Sequence, residues 1–221
     1  MIAIAIDGPA GAGKSTIAKA LAKKLGFIYV DTGALYRAIG LKFLRAGENT
    51  ELNCDIEQVL SVTKIDIKFV NGEQRVMLDG EDVSDEIRTP DASMMASAVS
   101  AKPSVRAFLL DMQRNMAKQN NVIMDGRDIG TVVLPGAEIK IFLTASADVR
   151  AERRYKELIE KGKDVTFSEV LEDMKVRDYN DSHREIAPLK PAEDSVIADT
   201  SELNLEESVE LLHNIVKEKL G

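Results

Sequence analysis

The first sixteen residues, MIAIAIDGPAGAGKST, constrain the fold more than any other stretch. Ile2 to Ile6 form a continuously apolar run, which predicts a parallel strand buried on both faces. Gly8-Pro9-Ala10-Gly11-Ala12-Gly13-Lys14-Ser15 then follows the pattern G-x-x-x-x-G-K-[ST], a loop that wraps phosphates. Gly8, Gly11 and Gly13 have no Cβ, so the backbone can curl and turn its N–H groups toward an oxyanion. Lys14, standing clear of the core, can reach the β- and γ-phosphates as a compact cation, and the Ser15 hydroxyl is placed for Mg²⁺. From Thr16 the sequence TIAKALAKKLG sets Ile17, Leu21 and Leu25 at helical spacing and stops at Gly26, so a helix N-terminus would face the phosphates. A glycine-rich turn can match the pattern by chance. A strand before it and a helix after it are the context that separates the two cases, and both are present. Gly8 through Thr16 are therefore expected to bind a nucleoside triphosphate, with Ser15 as the metal ligand.

The bulk properties limit what the chain does with that triphosphate. Its 221 residues suit one α/β domain carrying small inserts. A net charge of −8 makes it a poor partner for nucleic acid or an anionic membrane, so any anion site must be built from locally gathered Arg and Lys. Cys54 is the only cysteine, which excludes an intrachain disulfide and a cysteine metal cluster; His183 and His213 are the only histidines, which argues against a histidine site. No apolar stretch has membrane-spanning length and no basic or apolar leader precedes the first strand, so a cytoplasmic setting is expected.

Phe27–Val30 reads as a second strand ending in a polar turn, Asp31-Thr32-Gly33. Ala34–Ala46 reads as a helix with Arg37 in its first turn, where a cation opposes the helix dipole; it is either an ordinary surface Arg or one held for an anionic ligand. A short helix at 53–62 precedes Ile65, Ile67 and Phe69, which alternate with Asp66 and Lys68 before Asn71-Gly72 and Arg75–Leu78; residues 63–88 are thus an antiparallel β insert. Two helices follow at 90–99 and 103–118, the second with Arg106 near its start. Asn121–Met124 is a third core strand, ending in Asp125-Gly126-Arg127-Asp128, and a strand-end Asp is the kind of group that supports Mg²⁺ or its waters. After a strand at 139–143, the helix 147–161 sets Arg150, Arg153 and Arg154 on one face: a solvated charged face, or a cation cluster over a triphosphate. The helix 167–184 sets Arg177, Asp181 and Arg184 on one face, and a strand at 195–199 and a helix at 205–220 close the chain. The alternation predicts a parallel sheet with helices on both faces.

A phosphoryl-transferring kinase, a nucleotide-regulated switch and a nucleotide-binding scaffold all use such a loop. A guanine-reading Asn-Lys-x-Asp segment is absent, and a scaffold has no need of arginines at several strand ends and helix termini of an acidic chain. Transfer between a triphosphate and an anionic acceptor does need them, because it works by positioning and charge neutralisation.

Four stretches resemble the bacterial cytidylate kinases: the loop Gly8–Ser15, Asp31-Thr32-Gly33-Ala34-Leu35-Tyr36-Arg37, Asp125-Gly126-Arg127-Asp128-Ile129-Gly130-Thr131, and Arg177-Asp178 through Arg184 with Ala187-Pro188-Leu189. The resemblance runs nearly end to end, the β insert included; Thr32 stands where some relatives carry Ser, which keeps the hydroxyl. It implies the α/β nucleoside monophosphate kinase fold: a five-stranded parallel sheet with helices on both faces, a small antiparallel β insert and a helical lid. One kinase domain would span 1–221, with core 1–33, 89–147 and 185–221, monophosphate-binding region 34–88 and lid 148–184. The implied reaction is ATP plus CMP or dCMP giving ADP plus CDP or dCDP, with Mg²⁺ on Ser15 and Asp125 assisting through water. Lys14, Arg127, Arg150, Arg154 and Arg184 would be catalytic. Thr32, Arg37, Ser97, Arg106, Arg127, Asp128, Arg177, Asp181 and Arg184 would bind the monophosphate, and Arg150, Arg153 and Arg154 would close with the lid. To select cytosine a protein needs an acceptor facing N4 and donors facing N3 and O2; the resemblance puts Asp128, Arg106 and Ser97 there, the alternative being that Asp128 merely neutralises Arg127. No protein nucleophile is required, and the protein is expected to act as a monomer.

Overall fold

The computed structural model describes residues 1–221. The chain runs β1 (Ala3–Asp7), α1 (Lys14–Leu25), β2 (Ile28–Asp31), α2 (Thr32–Arg45), α3 (Ile56–Ser61), β3 (Ile65–Val70), β4 (Glu73–Leu78), β5 (Glu81–Asp82), α4 (Pro90–Ser100), α5 (Pro103–Gln119), β6 (Val122–Gly126), β7 (Ile139–Thr144), α6 (Ala147–Glu160), α7 (Phe167–His183), β8 (Val196–Asp199) and α8 (Leu205–Leu220). Five strands form one parallel sheet in the order β2-β6-β1-β7-β8. The apolar N-terminal run lies at its centre, every residue of β1 buried, as a strand covered on both faces must be. On one face Ile4, Ile6 and Ile123 pack against Ile17 and Leu21 of α1 and Leu212 and Val216 of α8. On the other, Ala3, Ala5 and Met124 pack against Ala117 of α5 and against Ile129 and Val133. The expected sheet with helices on both faces is the fold observed.

The parallel register aligns the C-terminal ends of the strands along one edge, with Asp31 beside Asp125 and Asp7 beside Gly126. Ligands of open parallel sheets sit beyond that edge. The insert β3-β4-β5 is antiparallel, and Asn71-Gly72 supplies the two positive-φ residues (53° and 79°) that a tight hairpin turn requires. Ile65, Val76 and Leu78 of the insert share one apolar cluster with Leu35 and Ile39 of α2, Met95 of α4 and Leu109 of α5. Helices α6 and α7 pack on each other around their own small cluster, Ala151, Val170 and Met174.

Two local readings of the sequence change. Asp31-Thr32-Gly33 is not a free turn: Thr32 already begins α2, because the Asp31 carboxylate accepts from the Ala34 N–H (2.9 Å) and caps the helix. After Asp128 a short π-helical turn, Ile129–Val133, re-aims the chain; five residues are too few for periodicity to reveal. No helix is long and apolar enough to cross a membrane.

Candidate active site

A cleft of about 660 Å³ opens over the C-terminal edge of the sheet, within the usual range of small-molecule sites. Its donor end is built from backbone. Gly8, at φ +151°, abuts β7 so closely that a Cβ would collide with the Leu143 carbonyl oxygen. Gly13, at φ +82°, starts α1 with no side-chain cap and no acidic residue in the first turn. The free N–H groups of that turn are thus left for an anion. Ala10 through Thr16 line the cleft, while Gly8 and Pro9 lie behind its surface.

Lys14 is not clear of the core, as the sequence led one to expect; it is buried. Its ammonium donates to the carbonyls of Gly8 (2.7 Å) and Pro9 (2.6 Å), acceptors its own loop curls within reach. Burial, followed by the positive charge of Arg127, pushes its pKa down to about 7. Beside it, the Ser15 hydroxyl donates to Asp125 (3.0 Å), whose other oxygen accepts from the Tyr29 hydroxyl (2.9 Å). Burial, then the nearby Asp31, raises the Asp125 pKa to about 6. Thr32 donates to the Asp125 carbonyl (2.8 Å). No group of three or more His, Cys, Asp or Glu side chains is placed to hold a metal ion. One hydroxyl and one carboxylate at the loop's mouth fit Mg²⁺, a hard ion that takes most of its ligands from phosphates and water.

The acceptor end is built from charged side chains. Arg37 pairs with Asp31 (2.8 Å), so the residue that caps α2 also fixes the Arg. Arg127, at the end of β6, pairs with Asp181 of α7 (2.8 Å). Burial alone would raise the Asp181 pKa, but Arg127, together with Arg184 and Arg177, outweighs it and holds the carboxylate low. Arg106 pairs with Asp128 and lies 5.6 Å from the centre of the Tyr36 ring, a cation–π distance. Arg184 reaches the other Asp128 oxygen (3.5 Å) and donates to Ser100 Oγ (3.1 Å) and the Ala187 carbonyl (2.8 Å). Asp128 therefore pairs with Arg106 and Arg184, while the directed partner of Arg127 is Asp181. Burial raises the Asp128 pKa despite these arginines. Thr32, Ser97 and Arg177 also line the cleft, and burial, then Arg127, lowers the Arg177 pKa: the guanidinium sits among like charges, a setting that favours an anion.

The three arginines of α6 divide. Arg154 lines the cleft, one-third exposed, paired with Glu157 (2.8 Å). Arg150 lies behind the cleft, donating to the carbonyls of Ala145 (2.9 Å) and Ala10 (2.8 Å) and to Asp178 of α7 (2.6 Å). It ties the phosphate loop to α6 and α7. Arg153 lines the cleft as well, but its guanidinium donates to the carbonyls of Thr200 (2.7 Å) and Leu203 (3.2 Å), anchoring α6 to the chain after β8.

Three residues escaped the sequence reading. Asp7 accepts from the N–H groups of Ile129 and Gly130 (2.7 Å each). Its signal was available, since it ends an apolar strand as Asp125 does. Tyr29 holds Asp125, and alternation along β2 gave no hint of that. Gln74 of the insert accepts from the Asp31 N–H (2.8 Å) and donates to the Asp31 carbonyl (3.2 Å), a strap between regions far apart in sequence.

A family model described as cytidylate kinase matches residues 4–218. Two curated relatives, both described as cytidylate kinase, span nearly the whole chain. The protein from Caldicellulosiruptor bescii is 53% identical over 99% of this chain and 99% of its own length. That from Caldicellulosiruptor saccharolyticus is 54% identical over 100% of this chain and 97% of its own length. A solved structure of an uncharacterized protein from Eubacterium ventriosum superposes with a TM-score of 0.54 at 13% identity, covering 98% of this chain and 99% of the other, a likeness of fold alone. With the phosphate loop, the arginine-lined acceptor end and this end-to-end agreement together, the chain belongs to the cytidylate kinase family.

Proposed function

We propose that this chain transfers the γ-phosphoryl group of ATP to CMP and dCMP, giving ADP and CDP or dCDP. One observation carries the reading: a bare helix N-terminus with its glycine loop faces, across a single cleft, a set of arginines around a buried carboxylate, Asp128. The first arrangement suits a triphosphate, the second an anionic acceptor whose base offers a donor. The loop from Gly8 to Thr16 would hold the ATP phosphates, and Lys14 would leave its two carbonyls to bridge toward the transferred group. Mg²⁺, on the Ser15 hydroxyl with Asp125 through a water, would neutralise phosphate charge. Arg37, Arg127 and Arg184 would hold the acceptor phosphate. Arg177 and Asp181 would contact the sugar or phosphate, and Asp128, Arg106 and Ser97 the cytosine edge, with Thr32 at the mouth.

The acceptor oxygen attacks directly, so the protein's part is to align, neutralise and exclude water. Residues 148–184 would act as a lid over the core, with Arg154 reaching the phosphates and Arg150 holding the loop to α7; the separate apolar cluster of α6 and α7 supports that division. The segment 34–88 would serve as the monophosphate-binding region. We read the protein as a cytoplasmic monomer. A coupled assay with ATP across CMP, dCMP, UMP, AMP and GMP tests the reading: CMP and dCMP should exceed the others in kcat/KM by orders of magnitude. Equal turnover of a purine monophosphate would overturn it.

A further inference from the structure

Asp128 occupies the N-cap position of the π-helical turn, and its carbonyl accepts from the N–H groups of Val132 (2.9 Å) and Val133 (3.1 Å). An Asp at that position ordinarily turns its carboxylate back to accept from the first free N–H groups of its own helix. Asp128 makes no such bond; its carboxylate points the other way, onto Arg106 and Arg184. The two stranded N–H groups, on Ile129 and Gly130, are satisfied from elsewhere. Asp7, at the end of the central strand, accepts one on each carboxylate oxygen at 2.7 Å. Asp7 is 4% exposed and Ile129 1%, so the contact is shielded from bulk water. Keeping a carboxylate there is costly: burial raises its pKa to about 6 against the two backbone hydrogen bonds that lower it.

We propose that Asp7 is a positioning residue for base selection: by capping the turn after Asp128 in its stead, it leaves the Asp128 carboxylate free to face the nucleotide. This rests on reading Asp128 as the group that meets the base. Without the Asp7 carboxylate the two buried N–H groups lose their acceptor, and the Asp128 side chain, at the N-cap of the same turn, is placed to reach back for them, that of Gly130 first. Swinging back to cap them would take it off Arg106 and Arg184. Asp7 also directly precedes Gly8, so the strand that launches the donor loop sets the acceptor's specificity group.

The test compares kcat/KM for CMP and UMP in wild type, Asp7→Asn, Asp128→Ala and the double variant. Asp7→Asn keeps the shape but offers one acceptor and an N–H₂ group that opposes a backbone N–H. The CMP-to-UMP ratio should fall by about tenfold or more, since a misplaced polar partner discriminates by powers of ten. In the Asp128→Ala background the same change should move the ratio less than about twofold, because coupled residues are non-additive. A general loss of stability would lower both substrates together and leave the ratio alone. Should the asparagine variant fail to fold, Asp7→Ser, whose single oxygen on a shorter side chain cannot hold both N–H groups, takes its place. A ratio unchanged by either variant overturns the proposal, and so does an equal drop in both backgrounds. If Asp128→Ala alone leaves the ratio unchanged, the reading of Asp128 fails and this inference falls with it; if Asp128→Ala flattens it and Asp7→Asn does not, only the inference fails.

Discussion

In the proposed reaction the two ends of the cleft would solve one problem, holding phosphate, by opposite means. The donor end uses nine consecutive residues, mostly backbone N–H groups and one lysine, and it needs glycine because the chain must pass close to β7. The acceptor end uses arginines from α2, α5, α7 and the ends of β6 and α7, and of these Arg37, Arg106, Arg127 and Arg184 are already paired with a carboxylate. A backbone nest is preorganised by local geometry and carries little charge. An arginine–carboxylate lattice is preorganised by tertiary contacts, and its carboxylates keep crowded guanidinium groups from repelling one another before an anion arrives. The first would grip any triphosphate; the second could be selective.

The sharpest break of this contrast is Lys14→Ala. The donor end has this one cation among its loop residues, so kcat should fall by about a hundred- to a thousandfold. Stability should change by only about 1–3 kcal/mol, since the Gly8 and Pro9 carbonyls lose a partner while a buried ammonium is also removed. Near-normal turnover in a folded variant would end the mechanism described above. Next in size are the α6 arginines, measured by kcat and melting temperature together. Arg154→Ala should lower kcat about tenfold or more with little change in melting, because its pair with Glu157 is exposed. Arg153→Ala should do the reverse, losing about 1–3 kcal/mol of stability with kcat within a few-fold, because it anchors α6 through two carbonyls. Indistinguishable variants would mean that Arg153 and Arg154 do not divide between anchoring and catalysis.

The smallest effect concerns protons. With a pKa near 7, Lys14 is largely neutral at pH 8. A bound triphosphate favours the ammonium, raising that pKa, so ATP binding should take up a proton at pH 8 and almost none below pH 6. Calorimetry of ATP binding in buffers of different ionisation enthalpy measures this directly. The uptake should vanish in Lys14→Met; uptake that survives there belongs to another group.

The donor end was legible because its chemistry is contiguous: loop, preceding strand and following helix stand in one stretch, and periodicity and glycine spacing are local signals. The hairpin insert was legible for the same reason, through Asn71-Gly72 between alternating runs. At the acceptor end the residue types were legible and their partners were not. Asp128 could be placed at a strand end, but its pairing with Arg106 and Arg184, 22 and 56 residues away, could not be read from spacing. The split of Arg150, Arg153 and Arg154 was hidden too. Helical spacing puts them on one face, yet a guanidinium reaches far enough for Arg150 to find the phosphate loop, Arg153 the chain after β8 and Arg154 its neighbour Glu157, the last two at the cleft wall.

By itself, then, the sequence determined the strand–loop–helix proposed to bind phosphate, the alternation that makes a parallel sheet, and the arginine supply of an acidic chain. These follow from backbone conformation and hydrophobic period, which act over a few residues. Tertiary structure alone decided that Lys14 folds onto its own loop, that Gln74 straps the insert to β2, and that Asp7 caps a turn 122 residues away. Each of these satisfies a buried or half-buried polar group, and a desolvated donor must take whichever acceptor the packed chain brings within about 3 Å, however far off in sequence that acceptor lies.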